Sequence, residues 1–579
     1  MYVLSVTARC LGAASLPIVV LLMFLRPAWV QRIGEKLLAV LQRIGKHPIG
    51  FGCAAVAATF ILNAAISCFS FWPIPSVHDE FAYVLTGDTF ANGRLTNPTH
   101  PFSNHFTSWH IFQTPSYQAK YPPAQGVVLA IGQKLFGFQL AGVWLSIALA
   151  MAAVIWAMFQ WLRPRWAVYG SLLILLNPHI HLRWGQSYWG GAVALAGGAL
   201  LIGAFGRLRR RPDLITGIAA GSGLAILAAS RPFEGLLMAI PVCCFTAFVI
   251  IRSLDRAKLA VVLGSVATLT VGGLSLTTYN QSVTGNWKKM PYRVWLEQQG
   301  DALDRIITPS VIPLQHVSKP SPETSAAIAS DSAEWRVSEM ARMMAERKAD
   351  SFNFKRHKLT DLHEFYLQTL LRLPLLAVPW LFRDRYRAVL IAAVVVVFLG
   401  SCTHLSAGHP HYIAGAAVAL IVIVTFSVRE ITAARILGKR VGSTFPAAVL
   451  FLWTAMSVLT FAADFIEQPR APRLDWAFRR TEIARQLAKP DSQQVLFVEY
   501  TDDHNIHQEW VYNGSDIDRQ SVIWANSLSD DENRQLLRYL RENATKNGFS
   551  SVQAWEIFVG DEVSDLRPYL RDDKSRDGV

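Results

Sequence analysis

Residues 49–83 read IGFGCAAVAATFILNAAISCFSFWPIPSVHDEFAY, and the order of events along them decides the fold. Residues 49–71 carry no charge over a length close to the ~20 residues that cross a bilayer. Pro73 and Pro75 then stop the helix, and Asp79 and Glu80 follow at the membrane boundary. Carboxylates beside hydrocarbon are costly and persist where they pair, line a wet cavity or move protons. A span that ends on such a pair predicts an integral-membrane protein with chemistry on one of its polar turns.

The rest of the chain repeats the first half of that pattern. Of 579 residues 52% are hydrophobic and 17% charged, with a mean hydropathy of +0.26. This composition excludes a disordered chain, a collagen-like fibre and one compact soluble domain. Apolar stretches at 3–25, 49–71, 138–162, 166–182, 188–206, 214–230, 235–251, 259–279, 369–382, 388–403, 411–428 and 444–463 predict an all-α polytopic domain of about 11–13 transmembrane helices. The expected organisation is a hydrophobic segment and basic cytoplasmic loop at 1–48, a transmembrane domain at 49–463 with outer loops 72–137 and 280–368, and a soluble extracytoplasmic α/β domain at 464–579. The core 10–25 of the first stretch also suits an uncleaved signal-anchor or an interfacial helix.

The net charge of +13 would in a soluble protein point to nucleic acid. Here it follows from topology, and no nucleic-acid partner is expected. Loops 26–48, 163–165, 207–213, 252–258, 383–387 and 429–440 together hold 21 Lys and Arg against five Asp and Glu, an excess of 16 that exceeds that of the whole chain. Positively charged loops resist translocation, so these are cytoplasmic and the three long segments 72–137, 280–368 and 464–579 lie outside. The six cysteines all fall in or beside predicted spans, leave no outer-loop pair for a disulfide, and read as small core residues.

In the first outer loop, Asp79 is set for a base whose pKa is tuned by partial burial and neighbouring charge; the plainer alternative is that it caps a helix beginning near Glu80. Lys120, in Gln118-Ala119-Lys120-Tyr121-Pro122-Pro123, stands beside a stiff turn that can aim its charge at a phosphate or carboxylate, where the plainer alternative is snorkelling to the interface. Other outer cations are few. Arg183 sits in a short turn with His179 and His181, and Arg231 precedes Pro232-Phe233-Glu234, where a local pair with Glu234 is equally plain. His179, His181, His404, His409 and His411 could donate hydrogen bonds or hold a cation, but isolated His-x-His spacing is too unspecific to assign a metal.

Asp79-Glu80 with Lys120-Tyr121-Pro122-Pro123 in the same loop resembles the C-type (GT-C) integral-membrane glycosyltransferases, in particular bacterial members of the protein O-mannosyltransferase and lipid A aminoarabinose transferase superfamily. The resemblance covers most of 49–463 and extends to His78-Asp79-Glu80-Phe81-Ala82-Tyr83, Gly87-Asp88-Thr89-Phe90-Ala91, Ser230-Arg231-Pro232-Phe233-Glu234, Tyr279-Asn280-Gln281, Val283-Thr284-Gly285, Met290-Pro291-Tyr292 and Pro410-His411-Tyr412. It implies a GT-C-like fold in a bacterial inner membrane. It also implies inverting transfer of a sugar from a polyprenyl-phosphate donor to a glycolipid, glycan or protein acceptor on the outer face, among membrane lipids. By the same resemblance Asp79 is the catalytic base and Glu80 the neighbour that shapes its charge. Lys120, Arg183 and Arg231 would meet the donor phosphate, and His78, Tyr83, Tyr121, His409, His411 and Tyr412 would line the cavity. Members of the superfamily differ in whether they use a divalent cation, and no metal is assigned.

The stretch 334–358, with Met340, Met343 and Met344 among Arg and Glu, reads as an amphipathic interfacial helix. In the C-terminal segment, 494–500, 521–525 and 552–559 read as strands and 530–543 as a helix, which suggests a partly parallel sheet. A flippase for lipid-linked saccharide is one rival reading, although no internal repeat supports it. An O-antigen ligase or polymerase is another, which would place its decisive Arg and His in a later loop.

Overall fold

The computed structural model describes residues 2–25, 27–299, 350–403, 409–436, 439–467, 476–501, 504, 505, 507–560 and 565–569. The predicted interfacial helix over 334–358 falls outside these residues up to 349, as does His404; its last residues belong to a helix Ser351–Tyr366. Two compact units emerge: one from 1–73, 140–276 and 350–471, the other from 74–139, 277–349 and 472–579.

The first unit is a helical bundle. Seven described helices are long and apolar enough to cross a membrane, so the chain is a multi-pass membrane protein. Of the other five predicted spans, 3–25 is the 24-residue helix Tyr2–Leu25, and four are helical but shorter: Pro164–Leu175, Leu214–Ala228, Arg385–Ser401, and a 3₁₀ turn Leu370–Ala377 running into Val378–Leu381. Loop 26–48 is no open loop. It is largely an amphipathic helix, Ala28–Ile44, which meets the end of the first helix at 104°.

Leu140–Trp161, Gly191–Leu208 and Pro410–Ala433 are mostly buried, whereas Pro48–Phe69, Pro232–Arg252 and Arg256–Thr284 are mostly exposed at the lipid-facing periphery. Lipid gives packed helices no hydrophobic advantage, so close approach depends on small residues. A Cβ on Gly198 would stand 1.9 Å from the Gly415 carbonyl oxygen, which fixes that contact. The acidic residues of the basic loops are structural: Asp213 caps Leu214–Ala228 and pairs with Arg207, and Asp384 caps Arg385–Ser401 and pairs with Arg209. The cysteines depart from expectation. Cys10, Cys53, Cys68 and Cys244 are exposed, so they sit on the bundle surface and not in its core, while Cys243 and Cys402 are half-buried.

The second unit is built on a four-stranded sheet. Ser492–Tyr500 lies between parallel partners Val522–Asn526 and Ser551–Val559, and Asp565–Pro568 adds an antiparallel edge. The central strand is apolar on both faces, as a buried parallel strand must be. Val495 and Phe497 meet Leu536, Leu537 and Leu540 of the helix Asp530–Asn547. Leu496 and Val498 meet Trp510, Trp524 and residues of the helix Trp476–Leu487. Ser529 and Glu532 form a capping box at the start of Asp530–Asn547, and Gly548, at φ +95°, ends it.

Phe81, Ala82, Leu85, Phe106, Ile111 and Tyr117 of the first long loop share the core on the Val495 face. Polar contacts bind the same two segments: Asn526 Nδ2 donates to the His105 and Thr107 carbonyls at 3.2 and 2.9 Å, and Ser515 N donates to Asp88 at 2.8 Å. The loop that carries Asp79 and Lys120 is thereby clamped to the C-terminal sheet.

Candidate active site

The site grows from the start of one helix and the base of one hairpin, both in the second unit. Pro73 and Pro75 keep residues 71–76 out of helix, and His78–Ala91 begins after Val77 with no side-chain cap. Asp79 is therefore not the cap. Glu80, 4% exposed, reaches back so that its Oε2 accepts from Ser76 N at 2.9 Å and Ser76 Oγ at 3.3 Å. It holds the turn, and the neighbouring carboxylate is released to face elsewhere.

Opposite that helix, Ile111 pairs with Ala119 and Phe112 with Gln118. This register sets Lys120 across from His110, and Lys120 N donates to the His110 carbonyl at 3.0 Å. His110 adopts φ +66°, a left-handed conformation that costs a non-glycine residue roughly 1–3 kcal/mol and is kept only where surroundings enforce it.

Three groups converge on Asp79. His110 Nδ1 lies 2.7 Å from Oδ1, and the Tyr121 hydroxyl donates to the same oxygen. Burial works against the Asp79 charge, but the hydrogen bond from His110, the charge of Lys120 and the Tyr121 hydroxyl outweigh it and hold the carboxyl well below the usual range. Burial, then the Lys120 charge, pushes His110 down to about 4. At neutral pH the pair is thus a carboxylate and a neutral imidazole whose Nδ1–H donates to it. Tyr83, one turn on from Asp79, stacks on Tyr121 at 4.6 Å and fixes the phenol.

Lys120 is 6% exposed and its Nζ stands 3.6 Å from the centroid of the Trp295 ring, with Tyr292 and Tyr121 at 5.4 and 5.3 Å. Among the described residues its ammonium makes no hydrogen bond and no ion pair. Burial draws its pKa down to about 7, against the pull of Asp79. A cation seated on aromatic faces retains its capacity for an anion, because ring quadrupoles stabilise charge without using up hydrogen-bond donors.

His78 completes the near shell. Its Nδ1 is 2.7 Å from the Tyr512 hydroxyl, which in turn donates to the Trp109 carbonyl at 3.3 Å, and Tyr512 stacks on Phe81 at 4.2 Å. The His78 ring lies 5.4 Å from His110 and 5.9 Å from His507. Burial, with the charges of those two histidines next, holds it well below its ordinary pKa.

The residues singled out in the sequence thus divide. Asp79, Lys120, Tyr121, His78 and Tyr83 converge, and Glu80 adjoins them facing its own turn. Arg231, His409, His411 and Tyr412 cluster in the first unit: the Arg231 guanidinium lies 4.8 Å from the Tyr412 ring, and the two imidazoles stack at 5.3 Å beside Trp189. Arg183, also in the first unit, is exposed. Among the described residues no three His, Cys, Asp or Glu side chains are grouped to hold a metal ion.

Sequence reading missed His110, Trp295, Trp109 and Tyr512 as parts of the site. Only His110 had a local signal: Gln113-Thr114-Pro115-Ser116 has turn chemistry between Ile111-Phe112 and Gln118-Ala119, and a hairpin there places His110 against Lys120.

No family model and no curated protein matches this chain. Among solved structures it is similar to ArnT from Cupriavidus metallidurans bound to undecaprenyl phosphate, at 12% identity and a TM-score of 0.47 over 88% of this chain and 93% of that one. It is also similar to the archaeal oligosaccharyltransferase AglB from Archaeoglobus fulgidus in complex with an inhibitory peptide and a dolichol-phosphate, at 12% identity and a TM-score of 0.45 over 88% of this chain and 69% of that one.

Proposed function

We propose that this protein is an inverting glycosyltransferase that moves a sugar from a polyprenyl-phosphate donor to a glycolipid, glycan or protein acceptor on the extracytoplasmic face of a bacterial inner membrane. The observation that carries the reading is a carboxylate kept ionised by two hydrogen-bond donors beside a buried lysine that has no counter-ion hydrogen-bonded to it among the described residues. An inverting displacement of phosphate needs an acceptor-side base and a leaving-group cation, and a phosphate leaving group needs charge compensation more than an acid.

In the proposed step the acceptor hydroxyl oxygen forms a bond to the anomeric carbon from the face opposite the phosphate. The bond from that carbon to the phosphate oxygen breaks, its electron pair leaving with the polyprenyl phosphate, and the hydroxyl proton passes to Asp79. Because Asp79 is a weak base in its resting hydrogen bonds, it orients the hydroxyl first and takes the proton late, once the new bond has made that proton acidic. Lys120 compensates the leaving phosphate. His78, Tyr83 and Tyr121 shape the cavity around Asp79.

Mass spectrometry of envelope glycolipids and glycoproteins from a deletion strain, complemented with the unaltered gene or with Asp79→Asn, tests the reading. Loss of one glycoform, restored by the unaltered gene alone, supports it. Full restoration by Asp79→Asn refutes the role of Asp79, and accumulation of an untransported lipid-linked saccharide would favour a flippase instead.

A further inference from the structure

The first unit contains a second site remote in sequence from this chemistry. The helices Gly191–Leu208, Leu214–Ala228, Pro232–Arg252 and Arg256–Thr284 enclose a cavity of about 320 Å³, lined by Phe205, Leu208, Leu224, Val242, Ile250 and Val261 among others. Among the described residues, no charged side chain lines it. Two of its hydroxyls are already satisfied, Thr216 Oγ1 by Asp213 at 2.8 Å and Ser265 Oγ by the Gly217 carbonyl at 3.2 Å. It is a predominantly apolar slot, with Thr246 and Cys243 the other polar side chains on its wall.

Its length and its rim say what fits. Along one wall the lining runs from Val242 to Ile251, which at 1.5 Å per residue is roughly 14 Å, about the depth of one leaflet of a ~30 Å hydrocarbon core. At the end marked by Leu208, Thr216 and Ile251 stand the two short connections 209–213 and 253–255. Their cations are of two kinds. Arg207, Arg209 and Lys258 are engaged by Asp213, Asp384 and Asp255, and Arg210 donates to the Trp161 carbonyl at 2.8 Å. Arg211, Arg252 and Arg256 are exposed and make no ion pair with any described residue.

We propose that this cavity binds an anionic phospholipid, one acyl chain in the slot and the headgroup phosphate on Arg211, Arg252 and Arg256. Basic residues at the membrane end of an interhelical slot are the chemistry that selects anionic over zwitterionic headgroups. The one-leaflet depth fits an acyl chain better than a polyprenyl chain, which would overrun it. The site is independent of the transferase reading.

Native mass spectrometry of the full chain, delipidated in mild detergent and titrated with phosphatidylglycerol or phosphatidylcholine, tests it. Phosphatidylglycerol should be retained, phosphatidylcholine bound at least about tenfold more weakly, and the triple variant R211S/R252S/R256S should lose that preference. These side chains are exposed, so the variant keeps its fold. Ala247→Phe, which fills the slot, should lower retention of both lipids while leaving the headgroup preference of whatever remains. Equal retention of the two lipids by the unaltered protein, an unchanged preference in the triple variant, or displacement of phosphatidylglycerol by undecaprenyl phosphate at matched concentration would each overturn the proposal.

Discussion

Lys120→Met isolates the charge on the phosphate side of the proposed reaction, and pH gives the experiment a second dimension. Burial holds the Lys120 pKa near 7 in the free protein, so the ammonium is almost fully formed at pH 6 and reduced to roughly one part in a hundred at pH 9. The other groups of the site do not titrate in this window: Asp79 stays ionised and His110, near 4, stays neutral. A polyprenyl-phosphate sugar is a phosphodiester and keeps one negative charge throughout. A charge-assisted contact is worth ~1.5–3 kcal/mol, one to two decades in affinity. The donor KM of the unaltered protein should therefore rise about 10- to 100-fold from pH 6 to pH 9. Lys120→Met should show a flat KM near the upper value, and Lys120→Arg a flat KM nearer the lower one, since guanidinium does not deprotonate there. Steady-state transfer from a synthetic donor, with pH and donor varied together, reads all three curves. A flat profile in the unaltered protein, or a persisting rise in Lys120→Met, would refute the assignment and leave Lys120 as a packing residue on Trp295.

The same burial makes an opposite prediction for stability. The folded pKa lies below the unfolded value of about 10.5, so the unfolded chain binds more protons between pH 7 and 10.5 and stability rises with pH across that window. Lys120→Met should then melt higher than the unaltered protein at pH 7, and a lower melting temperature would show that the cation–π contact outweighs desolvation. Asp79→Asn should cut transfer by ~10²–10⁴-fold with normal membrane insertion, measured on purified protein; Glu80→Gln, which can still accept from Ser76, should keep most of the activity. His110→Ala removes the first group that holds Asp79 ionised, so the acid limb of the pH–rate profile should move to higher pH, because activity that needs the carboxylate is lost as pH falls through its pKa; an unmoved limb would show that Tyr121 and Lys120 suffice. In a cysteine-free background, Asp531→Cys should react with a membrane-impermeant maleimide in intact spheroplasts and Arg211→Cys should not; the reverse pattern would invert the topology.

What the sequence determined by itself is what local physics controls. Apolar length located the spans of the bundle, because crossing a bilayer demands that each backbone group be satisfied within its own segment, but it passed over the amphipathic helix Ala28–Ile44, which carries no long apolar run. Alternating turn and apolar signals located the central strand at 492–500, its partners at 522–526 and 551–559, and the helix at 530–547 to within a few residues. Asp79 and Lys120 stood out because charge near a membrane boundary is expensive wherever it falls. Their partners did not, since nothing in Trp295 or Tyr512 marks either as belonging to this loop. Tyr512 reaches His78 across 434 positions, and Trp295 lies under Lys120 only because Pro291–Gln299 packs on Trp109. The role of Glu80 likewise needed coordinates: two adjacent carboxylates look equivalent in the sequence, and only the turn at Ser76 commits one to the backbone and leaves the other to the site. Such pairings depend on which surfaces pack together, a property of the whole core that no local stretch encodes.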